Sequence, residues 1–552
     1  MGNTKTTQTH RHLSAAAGLK SLLLAGCVLA AGAGRAAGQA CNDFATTDFK
    51  KTVLTTKGLE SPMKMAVAKD GRIFFTERTG SVLVLKPGAA DPVEILPITV
   101  NDNRNNEDGV LGIALDPKFE SNSFVYVYHT LKTPMGYRLS RYTLVGDALT
   151  AEKVVLSIPH PFSAYGALII HAAGAIAFDP SGNLLIAAGD LKITAGGFAV
   201  PVNENTDNFD AQATSANSNS LLGKILRITP KDDGTYSIPA GNLFPAGTAN
   251  TKPEIYAMGV RNPFTLTIDP KTGWAYSGEV GPDGSDGPIP SQDEVNQIKQ
   301  ASNLGWPYLS GDNQAYSDMS GKKYDPANLV NNSKNNTGIK NLPAGTKSLF
   351  WFSNSTSWPI AGIKPQTGNR CIKVGGFYRF DPMGTNPKRL PPAMDNGFFM
   401  ANHEEDNATF RFFKLADDGS LTSVKTVLTG LARPMDFKVG ADGALYVIEW
   451  GGDNAHWLND LKGKISRIDY TGACSTTGIK SNASGKSSSA NKLLTVFPGE
   501  RIEFPGFATK VDLYSMNGEK VASLQKGESL PVDNNLLTGK LRSGLVLAKF
   551  SN

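Results

Sequence analysis

The feature that most constrains this chain is a hairpin pattern that recurs six times. In each copy an apolar strand runs into an Asp-Pro or Asp-Gly turn, and a second strand rich in aromatic and β-branched residues follows. The copies lie at residues 65–75, 113–128, 176–186, 266–276, 378–400 and 437–447. The Asp side chain can bond to its own backbone, and Pro or Gly sets the turn. A single hairpin cannot bury both of its faces, so the six must pack against one another.

Arranging six hairpins as blades around an axis buries their faces and leaves only short edges exposed. The sequence therefore predicts an all-β fold, with a six-bladed β-propeller over residues 41–474. An irregular array of β-sandwiches is the alternative arrangement for the same hairpins. The uneven spacing places long insertions between the later copies, and such insertions commonly form the functional face.

A change in composition follows Cys474. Residues 475–492 are rich in Ser, Gly, Asn and Lys, which predicts a flexible linker. Residues 493–552 alternate apolar and polar residues in short strands, which predicts a small C-terminal β-sandwich. Segments 511–521 and 541–550 resemble C-terminal sorting domains of secreted bacterial proteins, so secretion machinery is one expected partner. An accessory binding module is the alternative.

Residues 1–40 have the pattern of an export signal. They carry four of the five excess positive charges of the chain and no acidic residue. An apolar run at 21–31 is too short to span a bilayer, and small residues lead from it to Ala40. We predict cleavage after Ala40, a secreted, periplasmic or cell-surface location, and no stable membrane span. Residues 24–27 resemble a lipoprotein cleavage box. The alternative is therefore cleavage before Cys27, which would make the protein a lipoprotein.

The remainder of the chain has one net positive charge, which gives no indication of a nucleic-acid partner. Outside the cytoplasm its cysteines could form disulfides. Position alone suggests that Cys41 pairs with Cys474 at the two ends of the predicted propeller, which leaves Cys371 unpaired.

A few polar residues stand directly before predicted inner strands, where the chain enters a blade at the axial end. His171 holds this position in one blade, and Arg261 and Asn262 hold it in another. A lone histidine is more often structural than catalytic, so this pattern leaves both roles open. Lys224 and Arg227 alternate with apolar residues along a strand, as surface cations also do. The chain contains no Gly-rich phosphate loop, zinc-type Cys/His set or Gly-x-Ser-x-Gly elbow.

Residues 279–287 form a tight loop that is rich in oxygen atoms. Free backbone carbonyls and nearby carboxylates are the ligands that calcium prefers, although the spacing differs from that of a helical calcium hand. Spacing alone therefore makes this loop a weak indication of a metal site.

Seven strings in the chain resemble successive signatures of the glucose/sorbosone dehydrogenase family, and they occur in the family's order across about residues 55–470. They are EDGVLGIALDP at 107–117, HAAGAIAF at 171–178, SLLGKILRI at 220–228, RNP at 261–263, EVGPD at 279–283, DEVN at 293–296 with NLGWP at 303–307, and PMDF at 434–437 with ALYVIEWG at 444–451.

The resemblance implies a propeller that binds pyrroloquinoline quinone (PQQ) on its axial face together with calcium. It implies oxidation of an aldose or related sugar at the anomeric carbon, hydride transfer to the quinone, and an external electron acceptor. His171 matches the family's catalytic base, and Gly281 and Pro282 match positions whose carbonyls hold calcium. PQQ carries three carboxylates and needs cationic partners. The positions that match cofactor-contacting residues are Glu107, Arg261, Asn262, Arg379 and Arg433.

Two other functions stay open. Phe264 and Met435 stand where the family often has a glutamine and a second arginine, which favours a non-catalytic propeller that binds carbohydrate or protein. A calcium-dependent hydrolase of the lactonase type would need several carboxylates around an axial metal, and the candidate acids cluster mainly at 279–294. The fold does not separate these chemistries.

Overall fold

The computed structural model describes most of the predicted propeller and four strands beyond it. The predicted export signal, Cys27, Cys41, Cys474 and most of the predicted linker lie outside the described residues. The described residues are 43–55, 57–100, 107–131, 134–160, 170–192, 202–205, 210–282, 292–318, 320–353, 370–381, 386–405, 407–451, 461–472, 489–495, 510–514, 520–525 and 545–551.

The predicted six-bladed propeller is confirmed. Its blades are antiparallel sheets in which chain order runs from the innermost strand outward. Blades 1 to 3 contain Pro62–Val67, Ile73–Glu77, Ser81–Leu85 and Val93–Pro97; Val110–Leu115, Phe124–Leu131, Gly136–Val145 and Ala148–Pro159; and Ala173–Phe178, Leu184–Ala188, Lys224–Pro230 and Ile255–Met258. Blades 4 to 6 contain Thr265–Ile268, Ala275–Glu279, Gln292–Ile298 and Phe350–Ser353; Ile372–Tyr378, Gly397–Asn402, Ala408–Leu415 and Leu421–Leu431; and Pro434–Val439, Leu445–Glu449 and Lys464–Tyr470.

The ring closes in blade 6, whose outermost strand comes from the start of the described chain. Phe49–Val53 pairs antiparallel with Lys464–Tyr470, with Phe49 opposite Tyr470. The innermost strand of each blade also contacts the innermost strands of the two blades beside it, including those of blades 1 and 6. The six blades therefore surround one axis, and blade 1 lies opposite blade 4.

The repeated Asp turns form as predicted. In the hairpin of blade 3, Asp179 Oδ1 accepts hydrogen bonds from the backbone N–H groups of Ser181 and Asn183, both at 2.9 Å. Gly182 completes this turn at a φ of 82°, which glycine adopts at little cost. Asp carboxylates make the same local bond to a backbone amide two residues on at Asp70, Asp116, Asp269 and Asp442.

The core lies between the blades rather than inside any one of them. Between blades 4 and 5, Phe350 stacks on Phe413 with ring centroids 4.9 Å apart, and Phe398 stacks on Phe413 at 5.5 Å. Because both faces of a blade are covered by its neighbours, inner strands such as Leu184–Ala188 are buried at every residue. Continuous apolar strands are typical of sheets that are buried on both faces.

Short elements decorate the propeller. Ser302–Asn303 adds a parallel strand to blade 3, Tyr236–Ser237 pairs with Lys224–Pro230, and Leu309–Ser310 pairs with Gln314–Ala315. The described helices are single turns at Thr46–Asp48, Phe119–Asn122, Ala211–Ala213 and Pro392–Met394. None of the helices in the described ranges is long and apolar enough to cross a membrane.

Beyond the propeller the described strands form one antiparallel sheet. Its spatial order is Ser489–Thr495, Leu545–Ser551, Lys510–Tyr514 and Lys520–Gln525. The sheet begins at Ser489, so the last four residues of the predicted linker 475–492 belong to a strand. A sandwich requires a second layer, and the predicted C-terminal sandwich therefore stays a prediction.

Candidate active site

Polar side chains from several blades meet where the inner strands begin, at the end of the ring that we call the axial face. Glu107 precedes the inner strand of blade 2, and its Oε2 accepts hydrogen bonds from residues of blades 3 and 4. The donors are Ala172 N in blade 3, at 3.0 Å, and Asn262 Nδ2 before blade 4, at 3.2 Å. The structure thus brings His171 and Asn262, predicted from their positions before inner strands, together with Glu107, which the family resemblance indicated.

His171 is held by a buried carboxylate. Its Nδ1 lies 2.9 Å from Asp190 Oδ1, and the other carboxylate oxygen of Asp190 accepts a hydrogen bond from Trp306 Nε1 at 2.8 Å. Asp190 is fully buried and His171 is 6% exposed. A carboxylate at Nδ1 favours the tautomer that carries its proton there, which leaves Nε2 as a proton acceptor. Among the described residues no hydrogen bond occupies Nε2.

The backbone at His171 adopts a strained conformation next to the contact between His171 and Asp190. His171 has a φ of 53°, in the left-handed region that residues with a Cβ rarely adopt. Gly189, beside Asp190, allows the close approach, because a Cβ there would lie 1.5 Å from the His171 carbonyl oxygen. Strain of this kind persists where the surrounding structure enforces it, and it concentrates at functional sites.

If the protein oxidises a sugar as the family resemblance implies, Asp190→Asn is expected to lower its turnover about 10²-fold, because an amide no longer favours the reactive tautomer of His171 or the charged ring. Affinity for the predicted PQQ should change less than threefold. Steady-state kinetics at saturating cofactor would measure the first effect, and titration the second. Trp306→Phe removes only one donor to Asp190, and we expect a smaller loss. An Asp190→Asn enzyme with unchanged turnover would remove Asp190 from the site.

Arg261 belongs to a network with buried acids at the end of blade 4. Arg261 N donates to Glu279 Oε1, and its guanidinium donates to the carbonyl of Val280 at 3.0 Å. Asn296 Nδ2 donates to Glu279 at 3.0 Å and to Glu294 at 3.3 Å. Burial, with the Glu294 charge beside it, raises the pKa of Glu279 well above its usual range. Burial also raises the pKa of Glu294 to about 7.

The acids at 279–294 that the structure describes are engaged in holding backbone. Asp293 accepts hydrogen bonds from Gly281 N at 3.0 Å and from Ile372 N at 3.1 Å. In the described ranges there is no group of three or more His, Cys, Asp or Glu side chains that could hold a metal. Asp283 and Asp286 of the same loop lie outside the described residues, and the hydrolase stays an alternative prediction.

Gly281 and Pro282, the predicted calcium ligands, lie directly after the second strand of blade 4. A guanidinium nitrogen of Arg370 lies 3.4 Å from the carbonyl oxygen of Pro282, and Arg370 also pairs with Asp293 at 3.6 Å. A cation next to one of the two carbonyls does not fit a calcium ion at that oxygen. The rest of the oxygen-rich loop lies outside the described residues, and calcium stays a prediction.

Arg379 is the one predicted site residue that the structure places elsewhere. It follows the C-terminal end of Ile372–Tyr378, a strand of seven residues that spans roughly 20 Å. There it pairs with Asp269 through two hydrogen bonds of 2.8 and 2.6 Å. Asp269 also follows the C-terminal end of its inner strand, so this pair lies at the opposite end of the ring from His171.

Other cations do reach the axial face. Arg433 precedes the inner strand of blade 6, is 5% exposed in its side chain and lies 3.6 Å from Glu404. Lys64 and Lys373, which the sequence analysis did not single out, extend from the inner strands of blades 1 and 5 and lie against the ring of Phe264. Asp190 and Trp306 were also missed as site residues, although NLGWP, one of the seven strings, contains Trp306.

The fold and the site define a propeller whose axial face carries a buried His–Asp pair and several buried cations. Residues 59–336, half of the chain, match the glucose/sorbosone dehydrogenase family. The chain belongs to this family.

Individual relatives agree with that placement. The chain is 30% identical over 289 residues to quinoprotein glucose dehydrogenase B of Acinetobacter calcoaceticus, a match that covers 50% of this chain and 55% of that protein. The chain spans little more than half the length of the curated relatives it matches, 60% of one and 55% of another.

Solved structures share the fold. An oxidoreductase (glucose dehydrogenase) of Thermus thermophilus superposes with a TM-score of 0.53 at 25% identity, over 76% of this chain and 99% of that one. The PQQ-bound aldose sugar dehydrogenase of Streptomyces coelicolor superposes with a TM-score of 0.50 at 22% identity, over 76% of this chain and 98% of that one.

Proposed function

We propose that this protein is a PQQ-dependent dehydrogenase that oxidises an aldose or a related sugar at its anomeric carbon. The observation that carries the proposal is the His171–Asp190–Trp306 chain at the axial face, with Nδ1 of His171 on a buried carboxylate and Nε2 available. A general base needs this arrangement, because the group that orients it also stabilises the charge it acquires. Family membership supports the redox chemistry.

The protein's own part in the reaction is to orient the sugar and remove a proton. His171 Nε2 takes the proton of the anomeric hydroxyl, and the charged ring that results is stabilised by Asp190 at Nδ1. When bound, PQQ supplies the acceptor for the hydride that leaves the anomeric carbon. The sugar thus loses a proton and a hydride and becomes a lactone. The electrons then pass to an external acceptor.

The side chains on the axial face fit a planar anion with several carboxylates. Lys64, Lys373 and Arg433 are buried cations, and Lys64 Nζ has no hydrogen-bond partner among the described residues. Asn262 Oδ1 is likewise a buried acceptor without a described donor. Unsatisfied buried polar atoms are costly, and a bound polar ligand would relieve that cost. Of the cofactor-contacting residues that the family resemblance implies, we assign Glu107, Arg261, Asn262 and Arg433 to PQQ.

Titration of the purified protein with PQQ tests this proposal directly. We expect saturable binding, followed through the quinone absorbance, and reduction of a redox dye that depends on an added aldose. A panel of aldoses, with and without added calcium, would identify the substrate class and test the predicted calcium. Failure to bind PQQ at high micromolar concentration would leave a propeller that has the family's fold without its chemistry.

A further inference from the structure

Two lysines from different blades meet at one aromatic ring near the axis. Lys64 extends from Pro62–Val67 in blade 1, and its Nζ lies 4.1 Å from the centroid of the Phe264 ring. Lys373 extends from Ile372–Tyr378 in blade 5, and its Nζ lies 3.4 Å from the same centroid. Phe264 directly precedes the inner strand of blade 4. Because blades 1 and 4 lie opposite each other, the Lys64 and Phe264 side chains meet near the axis.

Both ammonium groups are buried, and neither forms an ion pair with a carboxylate among the residues that the structure describes. Lys64 is 3% exposed and Lys373 is 1% exposed. Lys64 Nζ has no hydrogen-bond partner in the described part of the chain. Lys373 Nζ lies 2.8 Å from Cys371 Sγ. Burial raises the pKa of this thiol to about 11, so it stays neutral at physiological pH and cannot balance the charge.

The nearest carboxylate is already occupied. Asp436 Oδ2 accepts a hydrogen bond from Met65 N at 3.0 Å, and its Oδ1 lies 3.1 Å from Lys438 Nζ. His403 adds no negative charge. Its pKa is lowered well below the usual value by burial and by the nearby cations, of which Lys373 contributes most. Near Cys371, Glu404 pairs with Arg433 and Asp293 with Arg370, so these carboxylates are engaged as well. Two buried lysines beside carboxylates that already have partners are an unbalanced arrangement.

Lys224 shows how the same fold treats a structural lysine. It is fully buried, and its Nζ donates to three backbone carbonyls at distances of 2.6 to 2.9 Å. Its donors are satisfied without any ligand. Lys64 has no such acceptor among the described residues, so the structural role of Lys224 does not account for the burial of Lys64.

We propose that Lys64 and Lys373 form an anion site on the axis, beside the Phe264 ring, that holds a carboxylate group of a bound ligand. This extends the proposed function, because the carboxylate belongs either to PQQ or to an acidic sugar such as a uronate. Charge-assisted hydrogen bonds to a carboxylate are stronger than those between neutral groups, and two ammonium groups can share its two oxygens. The ring of Phe264 stabilises both ammonium groups through its π face.

The pH dependence of binding follows from the state of Lys64. Burial lowers the pKa of Lys64 to about 7, and an anion requires the protonated form. Affinity for the carboxylate ligand should therefore be highest below pH 7 and fall as the pH rises above it, and the bound anion should raise the pKa of Lys64. The charged and titratable groups that face Lys64 are Asp436, Lys373, Lys438, Cys371 and His403.

The test measures binding by calorimetry on the full chain, with PQQ, with glucuronate and with glucose as probes. Lys64→Met and Lys373→Met should each weaken binding of the carboxylate ligand about 10- to 100-fold. Lys86→Met is the control, because it removes an exposed lysine that pairs with Asp147 and does not act on Lys64, and it should change affinity less than threefold. Loss of PQQ affinity assigns the site to the cofactor. Loss of glucuronate affinity with PQQ affinity unchanged assigns it to the substrate.

The outcomes separate this inference from the proposed function. If the native protein binds PQQ and no lysine variant changes any affinity, the dehydrogenase proposal stands and the anion site is wrong. If the native protein binds glucuronate but not PQQ, and the lysine variants abolish that binding, the anion site stands and the PQQ-dependent dehydrogenase proposal is wrong. Should a variant fail to fold, affinity of the native protein between pH 6 and pH 9 serves instead. Affinity for both anions that is independent of pH would overturn the site.

Discussion

Replacing His171 by alanine is expected to lower the turnover of the PQQ-loaded enzyme about 10³-fold, because general-base catalysis by a positioned side chain contributes that order of rate. At the axial face the imidazole is held through its Nδ1 atom, which lies 2.9 Å from the buried carboxylate of Asp190. Its loss removes the proton acceptor but none of the buried cations, so the dissociation constant for PQQ should change less than threefold. Single-turnover reduction with excess sugar would measure the chemical step by itself.

His171→Gln provides the control for this experiment. Its amide can still donate a hydrogen bond to Asp190 but cannot take up a proton at neutral pH. We expect it to be as inactive as the alanine variant while its melting temperature stays closer to that of the native protein. Retention of a tenth or more of the native rate in both variants would show that another group removes the proton.

Replacing Lys224 by methionine is expected to destabilise the propeller by about 3 kcal/mol, since three buried carbonyl oxygens would lose their donor. These oxygens belong to Thr214, Ser215 and Leu222, at 2.6, 2.9 and 2.7 Å from Nζ. Burial lowers the pKa of Lys224 well below its usual value, so part of the loss is offset by relief of desolvation. The midpoint of urea denaturation, followed by tryptophan fluorescence, would measure the change.

Arg227 gives the comparison within the same strand. It donates to Asn242 Oδ1 at 2.9 Å and to the carbonyl of Ala240 at 2.7 Å, near the surface. Arg227→Met should cost less than about 1 kcal/mol, because water can replace these bonds. Equal costs for the two variants, or a Lys224→Met protein more stable than the native one, would contradict the structural role of Lys224.

The blades could be predicted from the sequence because each one contains a local hairpin with an Asp turn. Asp179 and Asp269 make the turn bonds that this pattern implies. The pairing of Phe49–Val53 with Lys464–Tyr470 could not be predicted, although both strands lie within the predicted propeller 41–474, since they belong to its opposite ends. Local periodicity carries no information about a pairing at that distance.

The candidate site was predictable where a polar residue precedes an inner strand, as His171 and Asn262 do, whereas Glu107 was indicated only by the family resemblance. Lys64 and Lys373 escaped notice because a lysine within a strand usually faces water. Only closure of the ring turns the side of the inner strands that carries Lys64 and Lys373 toward the axis. The prediction that Arg379 contacts the cofactor was wrong in its placement, because motif position does not say which end of a strand a residue occupies. Its ion pair with Asp269 places Arg379 at the end of the ring away from His171.

The strand that closes blade 6 determines when this fold can be completed. Ile465 N donates to Thr55 Oγ1 across 410 positions of the chain, so both ends of the propeller must be present before the last blade exists. Hairpins in blades 1 to 5 join neighbours in sequence and form early, whereas contacts of such long range are slow to form. A nascent chain that has not yet reached residue 464 is therefore an open arc with unpaired strand edges, the kind of surface on which chains aggregate. Synthesis of the final blade ends that exposure.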